Sequence, residues 1–234
     1  MMTSIEALID RQIRKWEVEK KARDEQAAPK EKEILPIITV SRQRGSSGSY
    51  LARRFAEELD YQLAHKQIID IICSDSGYRK RIIEALDEKT KSQLGLWVEG
   101  LFQGQYVDAS DYFRYLYHTV VAIAKHGGIV LIGRGGNLIA TLQTGFHIRV
   151  VAPERRRVEN IMKYAFVDEQ TAIEAIKDSD EERSNFIKSN FNHDINDPHY
   201  YDLVINTGMI DVEDAVKIAT EGLRAKMEWL RQAE

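Results

Sequence analysis

The stretch that decides the fold of this 234-residue chain is Ile37-Ile38-Thr39-Val40-Ser41-Arg42-Gln43-Arg44-Gly45-Ser46-Ser47-Gly48-Ser49-Tyr50. Its first four residues are β-branched and predict a buried strand, whereas its second half is mostly glycine and serine. The apolar residues of 51–59 then recur at helical spacing. A strand that leads through such a loop directly into a helix brings backbone N–H groups together at the helix N-terminus, where phosphate binds. An ordinary strand-to-helix turn with a serine N-cap uses the same residue types, so the loop alone leaves both interpretations open.

The loop departs from the common phosphate-loop consensus GxxxxGK[ST]. Aligned from Arg42, it keeps only the final hydroxyl residue, Ser49, and has Ser47 and Gly48 where glycine and lysine are expected. Because that lysine normally reaches the transferred phosphate, either Arg42 or Arg44 substitutes for it or phosphoryl transfer is weak. The residues that we predict to bind donor phosphates are Arg42, Arg44, Gly45, Ser46, Ser47, Gly48 and Ser49.

After the loop, short apolar segments alternate with helical patterns. This alternation predicts an α/β fold in which a five-stranded, mostly parallel sheet lies between two helical layers. The predicted strands are Pro36–Val40, Gln62–Ala64, Gly128–Ile132, His147–Val151 and Asp202–Asn206. The predicted helices are Ser49–Leu59, Gln67–Ser74, Asp111–Lys125, Pro153–Tyr164, Asp168–Phe191 and Val212–Arg231.

An amphipathic helix is predicted before the loop, from Ser4 to about Glu25. Its apolar residues recur at helical spacing and its other positions are heavily charged. The following segment contains Pro29 and has no periodicity, so we expect residues 1–33 to form a helix and tether and residues 34–234 to form the main domain. The helix docks on its own domain, forms a homodimer contact or binds a partner, and the sequence leaves these alternatives open.

Charge and composition narrow the classes of partner. With 33 Lys+Arg against 37 Asp+Glu, the net charge of −4 gives no global positive field, and no basic patch with interleaved aromatic residues is present. We therefore expect neither nucleic acid nor a membrane as a partner. No apolar run approaches the roughly 20 residues that span a bilayer, and charges begin at Glu6, so we expect a cytoplasmic protein. The histidines lack the paired spacing of a zinc site, and we predict no protein-bound metal.

Read together with three later segments, the loop resembles the cytidylate kinase-like family over roughly residues 35–208. Members of that family similarly have an apolar strand, a Ser-Arg dipeptide as in Ser41-Arg42, and a Gly-Ser-rich loop without the lysine. The resemblance implies a P-loop NTPase-like fold with a helical acceptor-binding insertion at about 77–110 and a lid at about 163–200. It also implies an ATP-dependent phosphotransferase that acts on a nucleoside monophosphate such as CMP or dCMP, or on another small phosphorylated acceptor, with Mg²⁺ arriving on the nucleotide.

The first of the later segments is the strand that ends in Gly133-Arg134-Gly135. Cytidylate kinases have Gly-Arg-Asp there, so the resemblance assigns Arg134 to a nucleotide phosphate and leaves Gly135 in place of the acid. The second segment is the helix after His147–Val151, in which Arg157 matches an arginine that is expected to face the nucleotide.

The last segment contains Asp180 and Arg183, which match an Asp-x-x-Arg pair in the family's lid. As i, i+3 neighbours on a helix they either pair with each other or close over the triphosphate. With Arg134 and Arg157 they are the predicted catalytic residues. The segment continues into Asp197-Pro198 and Asp202–Thr207, similar to the family's last strand.

Several departures from the family leave the function open. Ala64-His65 stands where relatives have an aromatic-Asp pair, and Asn160 and Tyr164 stand where relatives often carry basic residues. These residues therefore leave the identity of the acceptor open. A catalytically weak or inactive nucleotide-binding sensor of the same fold is the alternative function. The apolar residues of the insertion either pack within it, as we expect, or face a base, and these are Leu94, Leu96, Trp97, Leu101 and Phe102.

Overall fold

The computed structural model describes residues 5–25, 35–88, 90–94, 111–140 and 145–233. The strands are β1 (Ile37–Arg42), β2 (Gln62–Ala64), β3 (Ile129–Ile132), β4 (Gly145–Val151) and β5 (Leu203–Asn206). The helices are α1 (Ile5–Asp24), α2 (Gly48–Glu58), α3 (Lys66–Ser74), α4 (Ser76–Glu84), α5 (Asp111–His126), α6 (Gly136–Ile139), α7 (Glu154–Ala165), α8 (Glu169–Phe191) and α9 (Val212–Ala233), with a 3₁₀ turn at Pro198–Tyr200.

The strands form one sheet in the order β2-β3-β1-β4-β5. The central strand β1 pairs in parallel with β3, and β4 pairs in parallel with β5. Parallel strands bring their carboxyl ends to one edge of the sheet, which is where ligands of open α/β sheets bind. The predicted α/β fold with a five-stranded parallel sheet is confirmed, and no strand end differs from its prediction by more than two residues.

One face of the sheet packs against α2 and α9. Phe55 of α2 and Ala219 of α9 are fully buried in this core, and strand residues from β1, β3, β4 and β5 complete it. In β1, Ile38 and Val40 lie in this core at alternate positions, as the period of a strand requires. Because α2 follows β1 after a short loop, this packing fixes the N-terminus of α2 at the carboxyl edge of the sheet.

The chain divides into two compact units, and the first comprises Met1–Ile37 with Ala64–Ile129. Within it, α1 packs against α3 and α4. Trp16 of α1 stacks on His126 with the ring centroids 4.0 Å apart, and Arg81 donates hydrogen bonds to Asp10 over 2.6 Å and to Glu17 over 3.0 Å. The amphipathic helix therefore docks on its own chain, which is one of the three alternatives.

The sequence patterns do not predict α4. This helix is capped by Asp75, whose carboxylate accepts hydrogen bonds from the N–H groups of Gly77 and Tyr78 over 2.7 and 3.2 Å. Farther along the predicted insertion, Leu94 is buried, as expected of a packing residue. The other four apolar residues of the insertion (Leu96, Trp97, Leu101 and Phe102) lie outside the described residues. None of the described helices combines the length and the apolar character needed to cross a membrane.

Candidate functional site

All of the predicted site residues lie in the second compact unit, Ile38–Leu63 with Val130–Glu234. The predicted site residues are grouped around the loop between β1 and α2. Gly45 and Ser47 have left-handed backbones with φ of 80° and 58°. At Gly45 only glycine fits, because a Cβ would also lie 2.6 Å from the carbonyl oxygen of Arg157.

The loop leaves a group of backbone donors unused. Within the described part of the chain, no acceptor binds the N–H groups of Gly45, Ser47, Gly48 and Ser49. These donors lie at the N-terminus of α2, whose first turn contains no acidic residue. The helix dipole adds partial positive charge at the same place, so this loop can accept an anion.

Neighbouring residues hold the loop in this conformation. Asn160 of α7 donates from Nδ2 to the carbonyl of Gly45 over 2.8 Å, and the N–H of Gln43 donates to the carbonyl of Val150 over 3.0 Å. Ser46 is buried, and its hydroxyl donates to the carbonyl of Gln43 over 2.9 Å. The side chain of Ser46 is therefore part of the loop's support, and only its backbone belongs to the open face.

Arg42 is the arginine most closely associated with the loop. Its Nε donates to the hydroxyl of Ser49 over 3.3 Å. Burial, and to a smaller extent the charges of Arg183, Arg44 and Arg149, lower the pKa of Arg42 to about 10. Because the neighbouring arginines disfavour the positive charge of Arg42, an anion that binds beside the loop is stabilised by all of these arginines together.

Asp180 of α8 is the carboxylate in contact with these arginines. Its Oδ1 accepts a hydrogen bond from the N–H of Arg44 over 2.8 Å, and its Oδ2 accepts one from Arg157. Arg183 lies 3.5 Å from Oδ1 and donates to the carbonyl of Arg42 over 3.0 Å. Asp180 and Arg183 therefore form the i, i+3 pair, and each of them also binds the loop.

Arg157 of α7 contacts both Asp180 and the backbone of the loop. Its Nη1 bonds to Asp180 and to the carbonyl of Arg44, the latter over 3.4 Å. The side chain is 11% exposed, and no described residue accepts a hydrogen bond from its Nε. These contacts make Arg157 a residue that supports the loop, rather than one that faces the cavity over it.

Arg134 lies in the turn after β3 and has a left-handed backbone, with φ of 56°. Its guanidinium carbon lies 5.1 Å from the ring centroid of Phe186 on α8. At Gly135 a Cβ would lie 2.4 Å from Phe191, so the aspartate of the Gly-Arg-Asp pattern does not fit this turn.

Arg149 on β4 belongs to the same group of cations and was missed by sequence reasoning. The residue is 5% exposed, and its side chain donates to Ser41 over 2.8 Å and to Asn196 over 3.0 Å. Its Nε has no acceptor among the described residues, and burial lowers its pKa. A charged residue inside the apolar strand that contains Ile148 and Val150 was the available signal.

A cavity of about 420 Å³ opens over the loop. Of the predicted residues, the cavity is lined by Arg42, Arg44, Gly45, Ser47, Gly48, Ser49 and Arg183. Its wall also includes Asn160 and two exposed aromatic residues, Tyr50 and Tyr164. The other predicted residues (Ser46, Arg134, Arg157 and Asp180) are not among its lining.

Comparisons with known proteins show which family this chain belongs to and which proteins it resembles. The model of the cytidylate kinase-like family matches residues 37–209. The chain is 30% identical over 106 residues to cytidylate kinase from Methanocaldococcus jannaschii, a match that covers 44% of this chain and 60% of that protein. It is 26% identical over 176 residues to uronate isomerase from Corynebacterium glutamicum, covering 70% of this chain and 33% of that protein. The chain thus spans less than two thirds of the length of either relative.

Among solved structures, an uncharacterised protein from Eubacterium ventriosum ATCC 27560 is similar, with a TM-score of 0.65 and 20% identity. The match covers 83% of this chain and 99% of that chain, and it shows a shared fold. The parallel sheet and the loop after its central strand define a P-loop NTPase-like α/β fold. The chain belongs to the cytidylate kinase-like family, as the resemblance of its motifs predicted.

Proposed function

We propose that this protein is an ATP-dependent kinase that transfers the γ-phosphoryl group to a nucleoside monophosphate, with CMP or dCMP as the acceptor. The observation that carries the proposal is the loop, where the unused N–H groups of Gly45, Ser47, Gly48 and Ser49 meet a cavity lined by Arg42 and Arg183. A triphosphate is the ligand that such a set of donors and cations fits best. Such a kinase draws on the nucleotide pool of the cytoplasm, which is where we expect it to act.

In this proposal the protein acts by positioning and by neutralising charge. The loop N–H groups hold the donor phosphates, and Arg42 and Arg183 neutralise charge on the transferred group. Arg134 binds the phosphate of the acceptor. An acceptor phosphate oxygen forms a new bond to the γ-phosphorus as the bond from that phosphorus to the β,γ-bridging oxygen breaks, and ADP leaves. Arg157 and Asp180 keep the loop in shape through the contact with the N–H of Arg44.

The residues around the loop fit a magnesium ion only in part. Ser49 occupies the hydroxyl position of the consensus, and its oxygen accepts a hydrogen bond from Arg42. The carboxylate of Asp180 is already bound to Arg157 and to the N–H of Arg44. The ion would therefore be held mainly by phosphate oxygens and water, with Ser49 as the available protein ligand, and would neutralise phosphate charge.

One observation favours a second candidate, a nucleotide-binding sensor with little or no catalysis. The turn after β3 has no room for the acid of the Gly-Arg-Asp pattern, because Phe191 occupies the space beside Gly135. A site that lacks this acid can hold a nucleotide without assembling the groups that transfer needs.

The test is phosphoryl transfer from ATP–Mg²⁺ across a panel of nucleoside monophosphates, with nucleotide binding measured in parallel by calorimetry. Arg183→Ala is compared with Arg155→Ala, since the side chain of Arg155 is 92% exposed and, among the described residues, pairs only with Glu159 on its own helix. Turnover with CMP or dCMP that Arg183→Ala lowers and Arg155→Ala leaves unchanged supports the kinase. Binding without turnover supports the sensor, and the lack of both contradicts the proposal.

A further inference from the structure

We infer that Arg42 takes over both the space and the role of the missing loop lysine, so that residues 42 and 48 have exchanged their functions. The inference rests on the proposed function, because it names the residue that meets the donor phosphates. In the consensus, residue 42 is a glycine and residue 48 is the lysine. This chain has arginine at 42 and glycine at 48.

The first argument is steric. A Cβ at Gly48 would lie 2.6 Å from the Cβ of Arg42 and 3.2 Å from its Cγ, and it would also lie 3.0 Å from the Cβ of Val150. Contacts of this kind below 3.0 Å essentially never occur. A side chain at position 48 therefore cannot coexist with the arginine in its observed position.

The need for glycine at 48 is a need for space. Gly48 is not among the residues with positive φ, unlike Gly45 and Gly133. Its backbone begins α2 in a conformation that any residue adopts. The stem of Arg42 passes through the volume in which a lysine at position 48 would start, and this explains why the lysine is absent.

The second argument is where the guanidinium of Arg42 lies. Nε binds Ser49 in the first turn of α2, and Nη1 lies 3.1 Å from the place that a Cβ on Gly133 would occupy. The side chain therefore spans from the first turn of α2 to the turn after β3 and lines the cavity over the loop. A cation in this position reaches a phosphate that is held by the loop N–H groups.

The third argument is charge. Within the described residues, Arg42 has no hydrogen bond or ion pair to a carboxylate. Its pKa is lowered by burial and by the positive charges of other arginines. Arg44, the other candidate, is exposed, and its N–H is bound to Asp180. Arg42 is thus the cation that gains most from an incoming polyphosphate. Its five N–H donors suit two phosphate oxygens at once, which a lysine cannot match.

The experiment is a set of exchange variants assayed by calorimetry with ATP and with inorganic triphosphate. Arg42→Gly removes one charge-assisted contact and is expected to weaken binding by about 10- to 100-fold. The double variant Arg42→Gly/Gly48→Lys restores the glycine and the lysine of the consensus at positions 42 and 48, with Ser47 unchanged, and is expected to regain most of the affinity. Arg53→Gly is the matched control, because Arg53 is an exposed arginine on α2 that lies outside the lining of the cavity.

A second measurement tests the steric argument without a nucleotide. Gly48→Ala is expected to lower the melting temperature clearly in the wild-type background and much less in the Arg42→Gly background, where the colliding stem is gone. Arg42→Gln keeps the stem and removes the charge, so it reports on affinity if Arg42→Gly folds poorly.

The outcomes separate this inference from the proposed function. If the wild type binds ATP and Arg42→Gly and Arg42→Gln bind it equally well, the inference is overturned and the kinase proposal stands. The exchange is also overturned if the double variant binds ATP no more tightly than Arg42→Gly. The same holds if Gly48→Ala lowers the melting temperature equally in the wild-type and the Arg42→Gly backgrounds. A wild type that binds neither ATP nor inorganic triphosphate overturns the proposed function instead, and the steric result is then read alone.

Discussion

The N–H of Arg44 donates a hydrogen bond to the carboxylate of Asp180 over 2.8 Å, across 136 residues of sequence. This contact fastens the middle of the loop to α8 and uses one loop N–H that would otherwise be open to an anion. Because Arg157 and Arg183 also contact Asp180, one carboxylate joins three parts of the site. Its removal therefore changes both the stability of the loop and the charge of the site.

We predict that Asp180→Asn lowers the free energy of unfolding by about 1–3 kcal/mol, since Arg157 loses its anionic partner. The same change removes a negative charge beside the loop and should raise the affinity for inorganic triphosphate severalfold. Urea denaturation and calorimetry measure the two effects. Asp178→Asn is the control, because Asp178 is exposed on the same helix. Unchanged stability and unchanged affinity would contradict the role given to Asp180.

The space beside Gly135 gives a second prediction. Gly135→Asp is expected to lower the free energy of unfolding by about 2–4 kcal/mol, because the backbone is left-handed and the new Cβ meets Phe191. In a Phe191→Ala background the added cost of Gly135→Asp should be smaller, since the collision is relieved. Urea denaturation of the wild type and the three variants gives the coupling between the two residues. Strictly additive costs would contradict the steric explanation.

The pKa of Arg42 predicts how phosphate binding depends on pH. Burial and neighbouring cations lower this pKa to about 10 in the free protein, and a bound anion raises it. Below its pKa the free protein already carries the charge, so the contribution of Arg42 to the affinity for inorganic triphosphate should be level from pH 8 to about pH 9 and fall as the pH passes through 10. Calorimetry across this range should show a fall in the wild type that exceeds the fall in Arg42→Gln. Parallel profiles would show that Arg42 does not contact the ligand.

The packing of α1 gives a prediction for the first compact unit. Trp16→Ala is expected to lower the free energy of unfolding by about 3–5 kcal/mol, because Trp16 is buried and stacks on His126. Val18→Ala on the same helix is the control, since Val18 is 68% exposed. Urea denaturation compares the two variants, and equal stabilities would contradict the docking of α1 on its own chain. The homodimer through this helix stays a prediction, and size-exclusion chromatography of the wild type tests it.

Much of the fold follows from local patterns in the sequence. The strands β1, β3 and β4 are apolar runs rich in β-branched residues, and α2 and α9 repeat their apolar residues at helical spacing, so both periodicities are visible without the structure. Helix α4 was missed because its start depends on a side-chain cap by Asp75 rather than on an apolar stripe. A cap of that kind resembles an ordinary turn in the sequence.

The site could be predicted less completely than the fold. Motif positions identify Arg42, Arg134, Arg157 and Arg183, but they do not tell which arginine faces the cavity and which supports the loop. Distances decide that Arg157 binds Asp180 and that Arg42 excludes a side chain at Gly48. These relationships join residues from different elements, and no local spacing in the sequence encodes them.

The most direct test of the central claim is transfer of label from γ-³²P-ATP to CMP or dCMP in the presence of Mg²⁺, with the wild type and Arg42→Gly side by side. We predict labelled nucleoside diphosphate with the wild type and a large loss with Arg42→Gly. A wild type that binds ATP and transfers no label to any nucleoside monophosphate would contradict the kinase.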